Sequence, residues 1–331
     1  MGDNSMSNNG NNGRDDDFDY VAWGKEMNQW CDTELEKLNQ REKKIIGAVS
    51  ISSLTSKSLA VYRSGLERGD STGWRCVDEY YTVKRGEMTI VTGIPGSGKT
   101  TWLDALMINL AKNHDWRFAM FSAENLPFER HVSTFAEQIT GKPFRDGPTE
   151  RMSETLFMSA CDWLNDHLSF IDPEEDRDTV QGILESAEHI DDERKIDGLI
   201  IDPWNEISHS RDKSMSETDY ISIMLTKIRR FARDKNIHVW VVAHPAKMYK
   251  GTDGKYPIPS GYDISGSANW KNKADNSITV SRNFSLQNGL IEVHVQKIRF
   301  REVGKIGMAE LYFNRINCKY YETEHDCRMM G

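Results

Sequence analysis

The sequence has few of the features that would place it in a membrane or a secretory pathway. Its longest apolar stretch, Val239 to Ala243, is only strand-length, far short of the ~20 residues a membrane-spanning helix requires. The opening segment, MGDNSMSNNGNNGRDDDFDY, lacks the apolar h-region of a secretory signal. It is acidic rather than arginine-rich, which argues against a mitochondrial presequence. Its polar low complexity leaves nothing to bury, so residues 1–17 are expected to be disordered. Cysteine is scarce and odd in number: Cys31, Cys76, Cys161, Cys318 and Cys327, with no C-x-x-C spacing. That excludes a zinc ribbon and points to a reducing cytoplasm. Cys318 and Cys327 could lie close together, and a pair of free thiols is the expected state.

Positive charge is also in short supply, with a net charge of −9, which taken alone discourages a nucleic-acid partner. The charge is segregated, however. Between Asp146 and Asp197 sixteen acids face four bases, whereas between His244 and Lys305 ten bases face five acids. Local sign decides where a polyanion binds. A solvated mixed surface is the alternative reading of that asymmetry.

Residues 21–46 carry Trp23, Met27, Trp30, Leu38 and Ile45 at spacings near three and four, which predicts a helix with one apolar stripe. The Ser/Gly-rich stretch that follows reads as a linker. The stripe needs a cover, and two readings stand: the chain's own domain or a neighbouring subunit. From Gly86 onward short apolar runs alternate with helical segments. EMTIVTG, RFAMFSAE, LSFID, GLIID and HVWVVAH predict strands, and residues 216–236 predict a helix capped by Ser216. Such alternation implies an α/β fold with a mostly parallel sheet flanked by helices. NSITVSRN, IEVHVQKIR and MAELYFN have short connections and predict antiparallel strands at the C-terminal edge. The expected organisation is a tail (1–17), a linker helix and linker (18–66) and one large domain (67–331).

GIPGSGKT, from Gly93 through Ile94, Pro95, Gly96, Ser97, Gly98 and Lys99 to Thr100, fits G-x-x-x-x-G-K-[ST] between a predicted strand and helix. That context makes it a phosphate-binding loop. Its backbone N–H groups and the helix start, including Thr101, cradle phosphates. Lys99 is expected on the β/γ oxygens and the Thr100 hydroxyl on Mg2+. Asp202 closes GLIID and is the candidate second magnesium ligand. Glu124 closes FAMFSAE and is the candidate for polarising an attacking water. His244 closes the HVWVVAH run. Three strands ending in reactive groups around one loop form a constellation, which explains a histidine at the end of a buried strand: it can reach the γ-phosphate.

With these motifs in hand, the chain resembles the hexameric replicative helicases of the RecA-like, DnaB type. The resemblance lies on the branch of the bacteriophage primase-helicases and the mitochondrial Twinkle helicase. It is carried from about Ser71 to Asn314 by SAEN, IIDPW, VVAHP, SGSANWKNKADNSITVSRN and VQKIRF. The resemblance implies a RecA-like P-loop NTPase fold, ATP or another nucleotide with Mg2+, single-stranded DNA as partner, and a homo-oligomeric, hexameric ring. It implies that Glu124 is the catalytic glutamate, Asp202 the magnesium-side aspartate and His244 the γ-phosphate sensor. Residues Ala246 to Tyr262, with Lys247, Lys250 and Lys255, match a channel loop that grips DNA; solvated loop charge is the other reading of these lysines. Lys297 and Arg299, two apart on a predicted strand and so on one face, match the arginine finger and its companion, acting on a neighbour's nucleotide. The residues themselves leave open whether they act in cis or in trans. Arg282 and Phe313 match a pair that sandwiches the base, although Phe313 reads equally well as core. No paired cysteines precede the domain, so a separate primase or polymerase would be a partner, and no membrane is expected. The implied location is the cytoplasm of a bacterial or virus-infected cell. A RecA-like DNA-dependent ATPase that does not unwind, such as a recombinase or remodelling factor, is the alternative function.

Overall fold

The computed structural model describes residues 19–39, 49–173, 177–209, 211, 214–252, 256–283 and 288–329. The expected disordered tail and Lys255 therefore lie outside the described residues. The chain forms two compact units that divide between Glu67 and Arg68.

In the first unit, α1 (Tyr20–Asn39) confirms the predicted amphipathic helix as far as Asn39. Its stripe residues Trp23, Met27 and Trp30 are exposed. The stretch read as a linker is in part a second helix, α2 (Ile51–Ser64). The physical reason is local: the Ser50 side chain caps the helix by accepting from Ser53 N, and Gly65, at φ 80°, ends it. The serines that suggested a linker sit within the helix, where Ser53 and Thr55 hydroxyls donate back to carbonyls one turn earlier.

The second unit is built on a nine-stranded sheet. It contains a short α3 (Arg75–Asp78), then β1 (Met88–Thr92), α4 (Lys99–His114), β2 (Phe118–Ser122), α5 (Phe128–Thr140), α6 (Glu154–His167) and β3 (Leu168–Ile171). It continues with α7 (Val180–Glu193), β4 (Gly198–Asp202), α8 (Glu217–Lys235), β5 (His238–Val242), α9 (Asn269–Lys273) and β6 (Asn276–Arg282). It closes with β7 (Leu290–Ile298), β8 (Gly307–Phe313), β9 (Tyr320–Tyr321) and α10 (Glu324–Met329). The strand order is β3-β2-β4-β5-β1-β6-β7-β8-β9. The six strands from β3 to β6 pair in parallel, and β6 through β9 pair antiparallel, as the connection lengths predicted.

Every residue of β1, β2, β4 and β5 is buried, because helices cover both faces. Two apolar clusters result, one per face. One gathers Trp102, Trp116, Phe118 and Trp240; the other gathers Met88, Ile90, Leu199, Val239 and the inner faces of α7 and α8. Ser216 caps α8 by accepting from Asp219 N at 3.1 Å, as read from sequence. No helix among the described residues is long and apolar enough to cross a membrane.

Candidate nucleotide site and family

The parallel order sets β2, β4, β5 and β1 side by side, so their C-terminal ends share one edge. The phosphate loop leaves β1 at that edge with Gly93, Gly96 and Gly98 at φ 151°, 77° and 93°. A Cβ on Gly93 would stand 2.3 Å from Val280 O, so only glycine passes there. The loop feeds α4, which begins at Lys99. The resulting cleft has a volume of about 470 Å³ and is lined by Pro95 to Thr101, Glu124, His244, Arg282, Ile291, Phe313 and Tyr320. It thus gathers most of the residues predicted to meet nucleotide, including both members of the predicted base sandwich. Phe313 packs on Tyr320 with ring centroids 5.1 Å apart.

Thr100 Oγ1 donates to Asp202 Oδ2 at 2.6 Å. The other Asp202 oxygen is buried without a hydrogen-bond partner. Burial pushes this carboxyl up to about 6, helped by the nearby Asp104 and Glu124 charges and opposed by the Thr100 hydrogen bond and Lys99. A buried acid with one vacant oxygen beside a hydroxyl fits a hard cation. Two protein donors suit Mg2+, which takes its remaining ligands from phosphates and water. Lys99 Nζ donates to Gly93 O at 3.1 Å, folding back over the loop. Burial lowers its proton affinity, against the pull of Asp202 and Glu124. The residues present fit a magnesium-bound nucleoside triphosphate.

Glu124 does not end a strand: β2 stops at Ser122, and Glu124 stands in the turn beyond it. That turn aims it toward β5, where His244 Nε2 donates to Glu124 Oε1 at 3.1 Å. His244 is fixed from behind, its backbone N–H donating to Asn205 Oδ1 at 3.3 Å. Immediately after it, Pro245 bridges to Ile264, and Ala246 N donates to Asp263 O at 2.7 Å. The 246–262 loop therefore leaves and returns through one neck, next to the histidine. Lys247 and Lys250 are exposed on it.

Lys297 and Arg299 do not line this cleft. Nor do both belong to a strand, since β7 ends at Ile298. They converge all the same on the segment from Lys271 to Ala274. Lys297 Nζ donates to Lys271 O and Asn272 O at 2.6 and 3.0 Å, and Arg299 Nη2 donates to Ala274 O at 3.2 Å. Arg299 Nε lies 2.8 Å from Asp275 Oδ1. Asp275 is 1% exposed; it also takes two bonds from Arg229 and one from Met88 N. Burial, followed by the neighbouring Arg299 charge, lowers Lys297 to about 8. Asp275 stands at the start of β1 and the phosphate loop at its end. A five-residue strand at ~3.3 Å per residue puts roughly 15 Å between them.

A profile of the DnaB-like helicase C-terminal domain matches residues 69–322. The chain belongs to the DnaB-like helicase C-terminal domain family. The Twinkle homolog protein, chloroplastic/mitochondrial, of Arabidopsis thaliana is 40% identical over 267 residues, which amount to 78% of this chain and 37% of that protein. The chain thus spans little more than a third of that relative's length. Among solved structures, the ATPase domain of a phage helicase superposes with a TM-score of 0.68 at 18% identity, covering 83% of this chain and 99% of that one. A DnaB-like replicative helicase, described with its interactions with primase, gives 0.65 at 17% identity, over 90% and 77% of the two chains. Both share the RecA-like fold.

Three features of this DnaB-like domain escaped the sequence reading. Tyr320 closes the cleft from β9, its hydroxyl 3.4 Å from Gly98 O. Asp275 holds the arginine expected to act as the finger. Beneath the cleft, His131 Nε2 meets both Asp104 oxygens at 3.0 Å, and its Nδ1 lies 3.1 Å from Ser122 Oγ. Burial alone would depress the imidazole, but Asp104 outweighs it and the net direction is up. Asp104 follows Thr100 by one helical turn, a spacing that could have flagged it. His131 lies on a different helix, and no spacing signals it.

Proposed function

We propose that the chain is the motor domain of a ring-forming, ATP-driven DNA helicase that translocates on single-stranded DNA and hydrolyses nucleotide between adjacent subunits. The observation that carries this reading is the division of reactive groups between opposite ends of one sheet. The phosphate loop, Glu124, Asp202 and His244 gather at one end, while Lys297 and Arg299 gather at the other. A single subunit has a cleft without cations for the transferred phosphoryl group, and cations without a cleft. Head-to-tail association completes both, and repetition of that contact closes a ring.

Within such an interface each side chain has a chemical task. Lys99 and the loop N–H groups bind the phosphates, and Arg282 and Phe313 flank the base. Thr100 and Asp202 would hold magnesium, whose chemistry is to draw charge from phosphate oxygens. Glu124 orients and deprotonates water. The neighbour's Arg299 and Lys297 would meet charge developing in the transition state. His244 touches Glu124 and begins the neck of the basic loop, so a change at the phosphate end is passed to the DNA end through two covalent links. The two-helix unit before Glu67 supplies the docking element for the adjacent subunit. A primase, the partner named for one structural neighbour, would be a separate chain. Five cysteines without a disulfide suit a reducing compartment.

The test is a mixture of two inactive proteins. Arg299→Ala lacks the finger but keeps the loop, and Lys99→Ala lacks the loop lysine but keeps the finger. Some mixed interfaces pair a sound loop with a sound finger, and ATPase activity should return. Arginine fingers contribute roughly 10³–10⁵ in rate, so a few restored interfaces stand above background. No recovery at any mixing ratio, with ring assembly confirmed, rejects action in trans. Strand separation on a forked duplex by the wild-type protein distinguishes a helicase from a non-unwinding ATPase.

A further inference from the structure

The lysines of the 246–262 loop are interleaved with aromatic rings. The segment AKMYKGTDGKYPIPSGY carries Tyr249, Tyr256 and Tyr262, which are 74%, 44% and 56% exposed. Each ring has an ammonium group over it: Lys247 on Tyr249 at 5.6 Å, Lys250 on Tyr256 at 5.4 Å, and Lys271 on Tyr262 at 4.7 Å from the ring centroid. Three exposed tyrosines in one loop form a surface that water does not favour.

The loop is held so that these rings stay presented. Its neck is closed by the Pro245–Ile264 bridge. Its returning half is tied to the sheet, with Thr279 Oγ1 and Gln296 Nε2 both donating to Pro259 O at 2.8 and 2.9 Å. The carboxylate of Asp263 is taken up locally by Ser260 N and Oγ at 2.7 and 2.8 Å. What remains outward is an alternation of cation and ring.

We propose that Tyr249, Tyr256 and Tyr262 are stacking platforms for the unpaired bases of a single strand, with Lys247, Lys250 and Lys271 meeting the phosphates beside them. This deepens the DNA reading of the loop and rests on it. A cation over one face of a ring leaves the other face for a base, and its charge stands where a stacked nucleotide's phosphate must pass. Bases in a duplex already stack on each other, so the arrangement favours single strands. Every base has a π-face, so the grip would be indifferent to sequence, as a translocating motor requires.

The discriminating probe is an oligonucleotide stripped of bases. Binding of the full chain is measured by fluorescence anisotropy with a labelled dT oligomer and with an equally long, equally charged strand of abasic sites. Wild type should prefer the base-bearing strand by at least ~10-fold, given roughly five- to hundredfold per stacked base. Replacing the three tyrosines by alanine should bring that ratio to near one while leaving the salt dependence on dT unchanged. Replacing them by phenylalanine should restore the ratio, since the ring and not the hydroxyl is required. Lys247→Ala with Lys250→Ala should weaken both strands in parallel and flatten the salt slope. Equal wild-type binding to the two strands, or an undiminished ratio in the alanine variant, overturns the stacking proposal and leaves the DNA reading intact. Absence of wild-type binding to both strands overturns the DNA reading and the stacking proposal with it.

Discussion

The parallel and antiparallel halves of the sheet are made of similar β-rich sequence, yet they treat their charged residues in opposite ways. In the parallel half, strands end together, and Thr100, Glu124, Asp202 and His244 are brought to one edge with hydrogen bonds among themselves. In the antiparallel half, β7 runs back toward the start of β1 and delivers Lys297 and Arg299 to the far end, where backbone carbonyls and Asp275 hold them. Strand direction alone produces the difference. A parallel sheet collects reactive groups for one ligand, and an antiparallel return carries a cation away from that ligand toward another subunit.

The comparison can be broken most forcefully at the buried pair under the parallel half. His131 and Asp104 are 3% and 1% exposed. We predict that His131→Leu leaves the Asp104 carboxylate uncompensated and lowers unfolding stability by about 3–5 kcal/mol. Denaturant melts at neutral pH check this, and a loss under about 1 kcal/mol would show that the pair is not charged.

A second test separates chemistry from folding. Glu124→Gln keeps the shape and the hydrogen bond from His244, and removes the charge that orients water. Turnover should fall by at least ~100-fold while fluorescent-nucleotide binding persists. Unlike Arg299→Ala, this variant should gain nothing from mixing with Lys99→Ala, since both defects lie in the same cleft. Recovery in that mixture would place Glu124 on the wrong side of the interface.

The smallest effect concerns Glu87, beside the Asp275 clamp at the start of β1. It is 5% exposed and bonded to Asn276 Nδ2 at 2.9 Å; burial pushes it up to about 7 from 4.5. Between those values the unfolded chain is ionised while the folded one keeps its proton. Stability is therefore lost as pH rises through this window, and the loss is complete above about 7. Glu87→Gln, which keeps an acceptor for Asn276, should match wild type near pH 4 and exceed it by about 1–3 kcal/mol at pH 8. Melts that differ equally at both pH values would contradict the assignment.

Much of this architecture is legible in the chain because the signals are local. GIPGSGKT, the five apolar runs and the Ser216 cap each occupy consecutive residues, and the structure follows them closely. Residues 51–64 misled because serine serves both linkers and helix caps, and nothing in ISSLTSKSLAVYRS separates those uses. Asp104 with His131, and Asp275 with Arg229 and Arg299, join residues 24 or more positions apart, so their pairing exists only after the sheet has formed. The tyrosines of the 246–262 loop were visible as letters. They acquire meaning from exposure and from the lysines above them, which the sequence does not display.

The divided site has an arithmetic consequence for any assembly built from it. A closed ring of n such subunits contains n complete clefts, whatever n is. Opened at one seam, it keeps n − 1 complete clefts, with one bare cleft at one lip and one unused finger at the other. The finger is not stranded, because Arg299 already has a counter-ion in Asp275 within its own subunit. A gap wide enough to admit a strand of DNA thus silences one engine and leaves no unpaired arginine behind.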